Sequence, residues 1–436
     1  MSGGWRVQAQ VPAGDGAAPP GWLACLREVC ELLWPPQAVV TLEGGKLLPF
    51  GLTGPRQPPG PAVQPGVVPQ CQDFALVSGI HRPPLMVPAV RQTAAAAVRH
   101  HSRPRSAAAR MGVRMLCLSL GAGLGGTALC GRVRVITPAG ADTIETYLRT
   151  ALSRDITVSL HLGPARANRK PVLQLQTAGG EPIGFAKIGI NPLTHTLVRA
   201  EHDTLTMLNR AGLAQITIPR VLHYGTWRGL EVLVLSALPA WLPPRRLPPQ
   251  RLAAAMTELA AVDGLWQEPL AISRYLRDLR ARLAATVRGP EQAALAHALD
   301  LLATRDGQQA LTFGSWHGDW SPWNMAITGQ GLLVWDWERF ASGVPLGFDA
   351  LHHRLQTEVT AARGDPRAAA ARCPDLAPGQ LAPFGLGPRQ ARLTGILYLA
   401  ELATRYLTDK QAEAGAPLGA PGTWLVPAIA RAAAQS

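Results

Sequence analysis

Lysine is nearly missing from this 436-residue chain, standing only at positions 46, 170, 187 and 410, so arginine carries almost all of the positive charge. With abundant Ala, Gly and Pro, that bias points to a GC-rich coding sequence more than to a function. Acidic residues are also few: 42 Lys and Arg against 29 Asp and Glu give a formal charge of +13. The arginines are scattered, and no basic run interleaves with aromatic residues as single-strand nucleic-acid binders require, which argues against nucleic acid as partner. An acidic substrate or an anionic membrane surface stays compatible with the charge. Six cysteines form no C-x-x-C pair and have no histidines at zinc-ligand spacing, which argues against a structural metal site or a secreted disulfide framework. Reduced thiols in a cytoplasmic protein are the expectation. The N-terminus lacks a basic stretch followed by an apolar core and cleavage site, so no signal peptide is expected. Long apolar runs are lacking too. Met115 to Gly131 is the most apolar uncharged stretch, but at 17 residues with five Gly it falls short of the roughly 20 that span a bilayer.

What is present is a globular composition, 47% hydrophobic and 16% charged, in a chain long enough for two or three domains. Residues 1 to about 70 are broken by Trp34-Pro35-Pro36 and Gln57-Pro58-Pro59-Gly60-Pro61 and read as loops around one short helix near Trp22 to Leu33. Two short strands within 73 to 88 and helices near 91 to 101 and 104 to 120 follow. Ile156 to Leu162, Val172 to Gln176 and Ile183 to Ile188 alternate apolar and polar residues as three successive antiparallel strands. A helix over about Leu193 to Arg210 and two further strands, Arg220 to Tyr224 and Leu230 to Ser236, complete a small sheet lobe. Beyond the Pro-rich Trp241 to Pro249, helical periodicity dominates in 250 to 263, 270 to 287, 290 to 304, 388 to 409 and 424 to 434.

Between those helices stands His317-Gly318-Asp319-Trp320-Ser321-Pro322-Trp323-Asn324, followed by an apolar strand, Leu332 to Trp335, that ends in Asp336-Trp337-Glu338. Phosphoryl transfer needs a carboxylate to orient the attacking hydroxyl and accept its proton, and oxygen ligands to hold magnesium against the nucleotide. A loop with Asp319 and Asn324 beside a strand end with Asp336 can supply all three. Taken singly, each of these residues is as readily a turn cap.

Together they resemble the aminoglycoside phosphotransferase family, which shares its fold with eukaryotic-type protein kinases. His317 to Asn324 resembles the family's H-G-D-x-x-x-x-N loop, and Trp335-Asp336-Trp337-Glu338 resembles its I-D-W-E metal motif with Trp in place of Ile. Gly343-Val344-Pro345-Leu346-Gly347-Phe348-Asp349 is similar to its G-x-P-x-x-x-D segment, whose Asp braces the catalytic loop. The resemblance implies an α+β, protein-kinase-like two-lobed fold: an N-lobe of small antiparallel sheet plus one helix over 151–240, and a larger α-helical C-lobe over 241–436. Residues 1–150 would be an N-terminal extension of mixed short strands and helices with no readable role. It implies Asp319 as catalytic base, Asn324 and Asp336 as Mg²⁺ ligands, and ATP as phosphoryl donor. Lys187, on the third expected strand, would hold the α- and β-phosphates, and Glu201, 14 residues later, would hold Lys187. The loop Gly163-Pro164-Ala165-Arg166-Ala167-Asn168 would cover the phosphates with a single Gly, and backbone groups at Ala237 and Leu238 would meet adenine.

Gly121-Ala122-Gly123-Leu124-Gly125-Gly126 fits G-x-G-x-x-G but stands 61 residues before Lys187, outside any βαβ unit, and reads as a Gly-rich helix end. Ser321 stands where protein kinases carry Lys, and only twelve residues separate Asp336 from Asp349, too few for a peptide-docking segment. A small hydroxyl compound is therefore the expected acceptor. Residues 245 to 290 hold more Arg than Asp plus Glu, which favours a neutral or anionic substrate over a polycationic aminoglycoside. The alternative is a catalytically weak nucleotide-binding regulator, pseudokinase-like, that kept the fold. Oligomeric state is not legible.

Overall fold

The computed structural model describes residues 8–10, 21–44, 69–77, 85–102, 107–122 and 129–435, apart from 162, 164, 165, 362, 363, 416 and 417. Gly123, Gly125 and Gly126 of the G-x-G-x-x-G match, and Pro164 and Ala165 of the expected phosphate loop, lie outside the described residues. The chain divides into two compact units. One takes the described residues before 164 together with Lys170–Ile190 and Val221–Trp241; the other takes the described residues of 165–169, Asn191–Arg220 and those from Leu242 onward.

Among the described residues, the first unit is built on one sheet of ten strands, in the order Gln8–Gln10, Val39–Gly44, Leu129–Thr137, Gln70–Val77, Leu85–Pro88, Thr157–His161, Val172–Gln176, Pro182–Gly189, Leu230–Ser236, Val221–Trp227. All neighbours are antiparallel except the first pair. The five strands expected after residue 151 are present, but they continue an existing sheet instead of forming a small one. Leu85 pairs with His161 and Met86 with Leu160, so the sheet runs unbroken across residue 150. Val39–Gly44 corrects the expectation of loops there: the prolines at 35 and 36 precede the strand and do not interrupt it.

Alternation explains the strands that were not anticipated. In Leu129–Thr137, Val133 and Val135 are buried, while Arg132 and Arg134 both reach Asp73 on the neighbouring strand, at 2.8 and 2.7 Å. Trp34, Phe74, Val133 and Ile144 share one apolar cluster with Val158, Leu175, Ile188 and Val234, so residues on both sides of position 150 bury the same core. The helix Ile144–Leu152, opened by a Thr143–Thr146 capping box, adds Tyr147 against His223 at 2.7 Å.

The second unit is mainly helical. Its core gathers Tyr275, Phe313, Trp316, Phe348, Leu397 and Tyr398 with the helices 290–306, 388–408 and 425–435. The helix Pro192–Ala211, expected to accompany the sheet, groups with this unit. It starts where Asn191 and Thr194 form a capping box and Pro192 takes the first turn, and it ends at Gly212 in the left-handed region. Two three-stranded sheets lie among the helices: Trp266–Pro269, Ala310–Trp316, Ala341–Pro345, and Met325–Thr328, Gly331–Val334, Ile216–Thr217. Among the described residues no helix is long and apolar enough to cross a membrane.

Candidate active site

The strand Ala310–Trp316 pairs with Ala341–Pro345 and delivers the chain to His317. There the backbone must turn sharply. Gly318 has φ +83°, and a Cβ on it would lie 2.0 Å from the carbonyl oxygen of Arg339, so both conformation and space demand glycine. His317 is fully buried; its Nδ1 accepts from the amide of Asp319 at 3.1 Å, which leaves Nε2–H to donate to the Trp335 carbonyl at 3.1 Å. Burial drives its pKa down to about 4, so the ring is the neutral tautomer this geometry requires. Asp349, in the first turn of the helix Phe348–Val359, accepts the amides of His317 at 2.7 Å and Gly318 at 3.2 Å, the bracing role the G-x-P-x-x-x-D resemblance implies. Arg405 donates to the Gly318 carbonyl at 2.6 Å while its guanidinium lies over the Trp316 ring. The loop that carries Asp319 is thus held from three elements.

Asp319 accepts from Ser321 Oγ at 2.5 Å, His352 Nε2 at 2.8 Å and Asn324 Nδ2 at 2.9 Å. Burial pushes its carboxyl up, but the His352 hydrogen bond and charge, with the Ser321 hydroxyl, outweigh that and hold it below the usual value. It is an ionised acceptor. Its side chain remains 31% exposed, enough for an incoming hydroxyl to reach it, whereas His352 behind it is 3% exposed. His352 is in turn fixed by Tyr398, whose hydroxyl lies 3.0 Å from Nδ1. Sequence reading passed over His352, Tyr398 and the role of Ser321, because their relation to Asp319 exists only once helices 348–359 and 388–408 have packed.

Asn324 is buried, and its backbone carbonyl accepts from the Trp335 amide at 3.1 Å, one register step beyond the Met325↔Val334 pair. The hairpin therefore sets Asn324 beside Asp336. Because Asn324 Nδ2 is committed to Asp319, its Oδ1 is the atom suited to a cation. Asp336 takes φ +74°, an uncommon backbone for a residue with a side chain, costing on the order of 1 kcal/mol or more. Carboxylate oxygens of Asp336, Glu338 and Glu201 all lie within 4.8 Å of one another. Glu201 is fully buried and also accepts from the Trp337 amide at 3.1 Å, while Glu338 accepts from Asn168 at 3.2 Å. Hard oxygen donors gathered this closely fit a divalent cation such as magnesium. Glu201, expected to hold Lys187, and Glu338, given no role from sequence, are thereby added to the surroundings of Asp336.

The remaining expected residues belong to the sheet-rich unit. Lys187 pairs with Val172 on one side and Leu233 on the other, on the strand face opposite the buried Ala186 and Ile188. Gly163 follows the strand Thr157–His161, and among the described residues beyond its chain neighbours nothing lies within 4 Å of where its Cβ would stand. Ala237 donates its amide to the Ile183 carbonyl at 3.3 Å, and the Leu238 carbonyl accepts from Ala240 at 2.7 Å.

No curated protein matches the chain in sequence. Among solved structures, choline kinase LicA from Streptococcus pneumoniae is 15% identical over 67% of this chain and 99% of its own, with TM-score 0.44. A thermostable mutant of aminoglycoside phosphotransferase APH(4)-Ia is 18% identical over 67% of this chain and 100% of its own, with TM-score 0.43. Amicoumacin kinase hAmiN, in complex with AMP-PNP and Ca²⁺, is 11% identical over 65% and 89%, with TM-score 0.40. The family described as "Phosphotransferase enzyme family" matches residues 173–379, the span that holds Lys187, Glu201, the His317–Asn324 loop, Asp336 and Asp349. Over residues 173–379, just under half of its length, the chain is therefore similar to the phosphotransferase enzyme family.

Proposed function

We propose that the chain transfers the γ-phosphoryl group of ATP, with magnesium, to a hydroxyl of a small neutral or anionic molecule. The observation that carries this reading is Asp319: ionised, oriented by three hydrogen bonds and a third exposed, on the loop that leads through the hairpin 325–334 to Asp336 and its gathered carboxylates. Asp319 would accept a hydrogen bond from the substrate hydroxyl and take its proton as the oxygen attacks. Asn324 Oδ1 and Asp336 would hold magnesium, with Glu338 and Glu201 close enough to share the cation or orient its water. The ion's contribution, when bound, is to neutralise charge on the phosphates. Lys187 would hold the α- and β-phosphates with Glu201 bracing it, and the chain at Gly163 would cover them. Since Ala237 N–H and the Leu238 carbonyl are already bonded, the Ala237 carbonyl and the Leu238 N–H are the groups adenine would meet.

The metal assignment is tested by calorimetric titration of ATP with and without magnesium. Wild type should bind nucleotide in a magnesium-dependent way, and Asp336→Ala should weaken that binding about tenfold or more. Equal binding by both proteins removes Asp336 from the metal site.

A further inference from the structure

Between Phe74 and Ala141 the sequence holds nine Arg and neither Asp nor Glu, although the arginines never form a run. That stretch supplies most of the molecule's excess charge. At its centre is the helix Ala107–Gly121, which is apolar on two opposite sides. One side presents Val113, Leu116, Cys117 and Leu120 to a cluster formed by Ala75, Leu85, Val87, Ala94 and Val98, which accounts for its place against the sheet. The other side presents Met111, Met115 and Leu118, at 58%, 56% and 59% exposure. At 100° per residue these three fall within one narrow stripe, roughly opposite the buried one. Arg110 and Arg114, both exposed, run alongside it.

We propose that this outer stripe lies on an anionic lipid bilayer. A surface helix in water normally has one apolar face, and a second one calls for an apolar partner. Here the partner must also tolerate Arg110 and Arg114 beside the stripe, on a helix within 68 positions that hold no acidic residue, a condition that an anionic bilayer meets. Three long flexible apolar side chains would enter the boundary between headgroups and acyl chains, with Arg110 and Arg114 at the level of the lipid phosphates. Fifteen residues make a helix of about 22 Å, suited to lying in the interface and too short to span it. Nucleic acid fits less well: no Phe, Tyr or Trp occurs between Arg91 and Ala122 on which bases could stack, and a Met and Leu stripe offers phosphates nothing. The inference is independent of the catalytic reading, because lipid binding requires no turnover.

The test is co-sedimentation of the full chain with vesicles of phosphatidylcholine alone and of phosphatidylcholine mixed with phosphatidylglycerol. Wild type should pellet with the anionic vesicles, less so as salt rises. Arg110→Gln with Arg114→Gln should weaken partitioning about fivefold per arginine at low salt. Met115→Glu with Leu118→Glu should abolish it, and Met115→Ser with Leu118→Ser, which adds no charge, should reduce it with an unchanged melting temperature. A wild-type chain that ignores anionic vesicles, or variants that pellet as it does, overturns the proposal. So does a wild-type dimer split by the Met115 and Leu118 substitutions without any vesicle binding, which would assign the stripe to a second copy. Oligonucleotide binding that depends on Arg110 and Arg114 but survives the serine variant, again without vesicle binding, would assign it to nucleic acid.

Discussion

Around Asp319, the proposed base, the contacts come from side chains that no short motif contains. His352 stands 33 residues after Asp319 and Tyr398 another 46 beyond, yet the three form a chain of contacts at 2.8 and 3.0 Å. Because His352 touches Asp319 and has no place in the expected nucleotide site, its loss should act on turnover and spare nucleotide affinity. His352→Ala should lower kcat on the order of tenfold or more with nucleotide KM nearly unchanged, since a misplaced base costs the transition state. His352→Gln, whose amide can donate to the same oxygen, should recover part of the loss. If alanine and glutamine variants both match wild type in steady-state kinetics, His352 does not position the base. His317 gives a second prediction through pH. Its pKa in the fold is about 4 against an ordinary 6.5, so between those values the unfolded chain binds the extra proton and stability falls as pH falls. Its share, fully present above pH 6.5 and lost by about pH 4, is on the order of 3 kcal/mol. Urea unfolding across that window should show His317→Asn with a visibly flatter decline than wild type, and identical slopes would contradict the assignment.

Elements were legible where period and breakers agreed. The strands 172–176 and 230–236 and the helix 290–306 fall within a few residues of their sequence reading, because alternation or 3.6-residue periodicity was bounded by turn residues. The helix Pro366–Leu381 was missed because Pro374 and Pro378 stand inside it. Its Ala369, Ala370, Cys373, Ala377 and Leu381 are buried against neighbouring helices, and that packing outweighs the lost backbone bonds. The strand Leu129–Thr137 was hidden by the Gly-rich stretch before it and became recognisable only through its partners on either side. Its pairing has a consequence for the expected 150-residue boundary. A chain beginning at 151 would lose the partner of Thr157–His161 and strip Trp34, Phe74, Val133 and Ile144 from a shared core. Such a truncation should be insoluble or melt far below the full chain, since an uncovered apolar edge strand pairs with other copies. A truncated protein with the wild-type melting temperature would show that residues 1–150 are a separable domain after all.

For the molecule as a whole, the sequence carried the reaction class further than the architecture. His317 to Asn324, Asp336 and Asp349 are close in the chain and could be recognised as one set, whereas the ten-stranded sheet joins residues more than a hundred positions apart. Glu201 was placed on the right helix, but its proximity to Asp336 and Glu338 arises from tertiary packing that spacing does not encode. The central claim is that Asp319 is the base of a phosphoryl transfer, distinct from the groups that hold nucleotide and metal. The measurement that bears on it most directly is steady-state kinetics of Asp319→Asn with ATP, magnesium and a panel of small hydroxyl compounds, alongside calorimetric nucleotide affinity. The account predicts that kcat falls about 10² to 10⁴-fold on whichever compound wild type phosphorylates, while MgATP affinity stays within a factor of a few. Wild-type turnover in Asp319→Asn would contradict it.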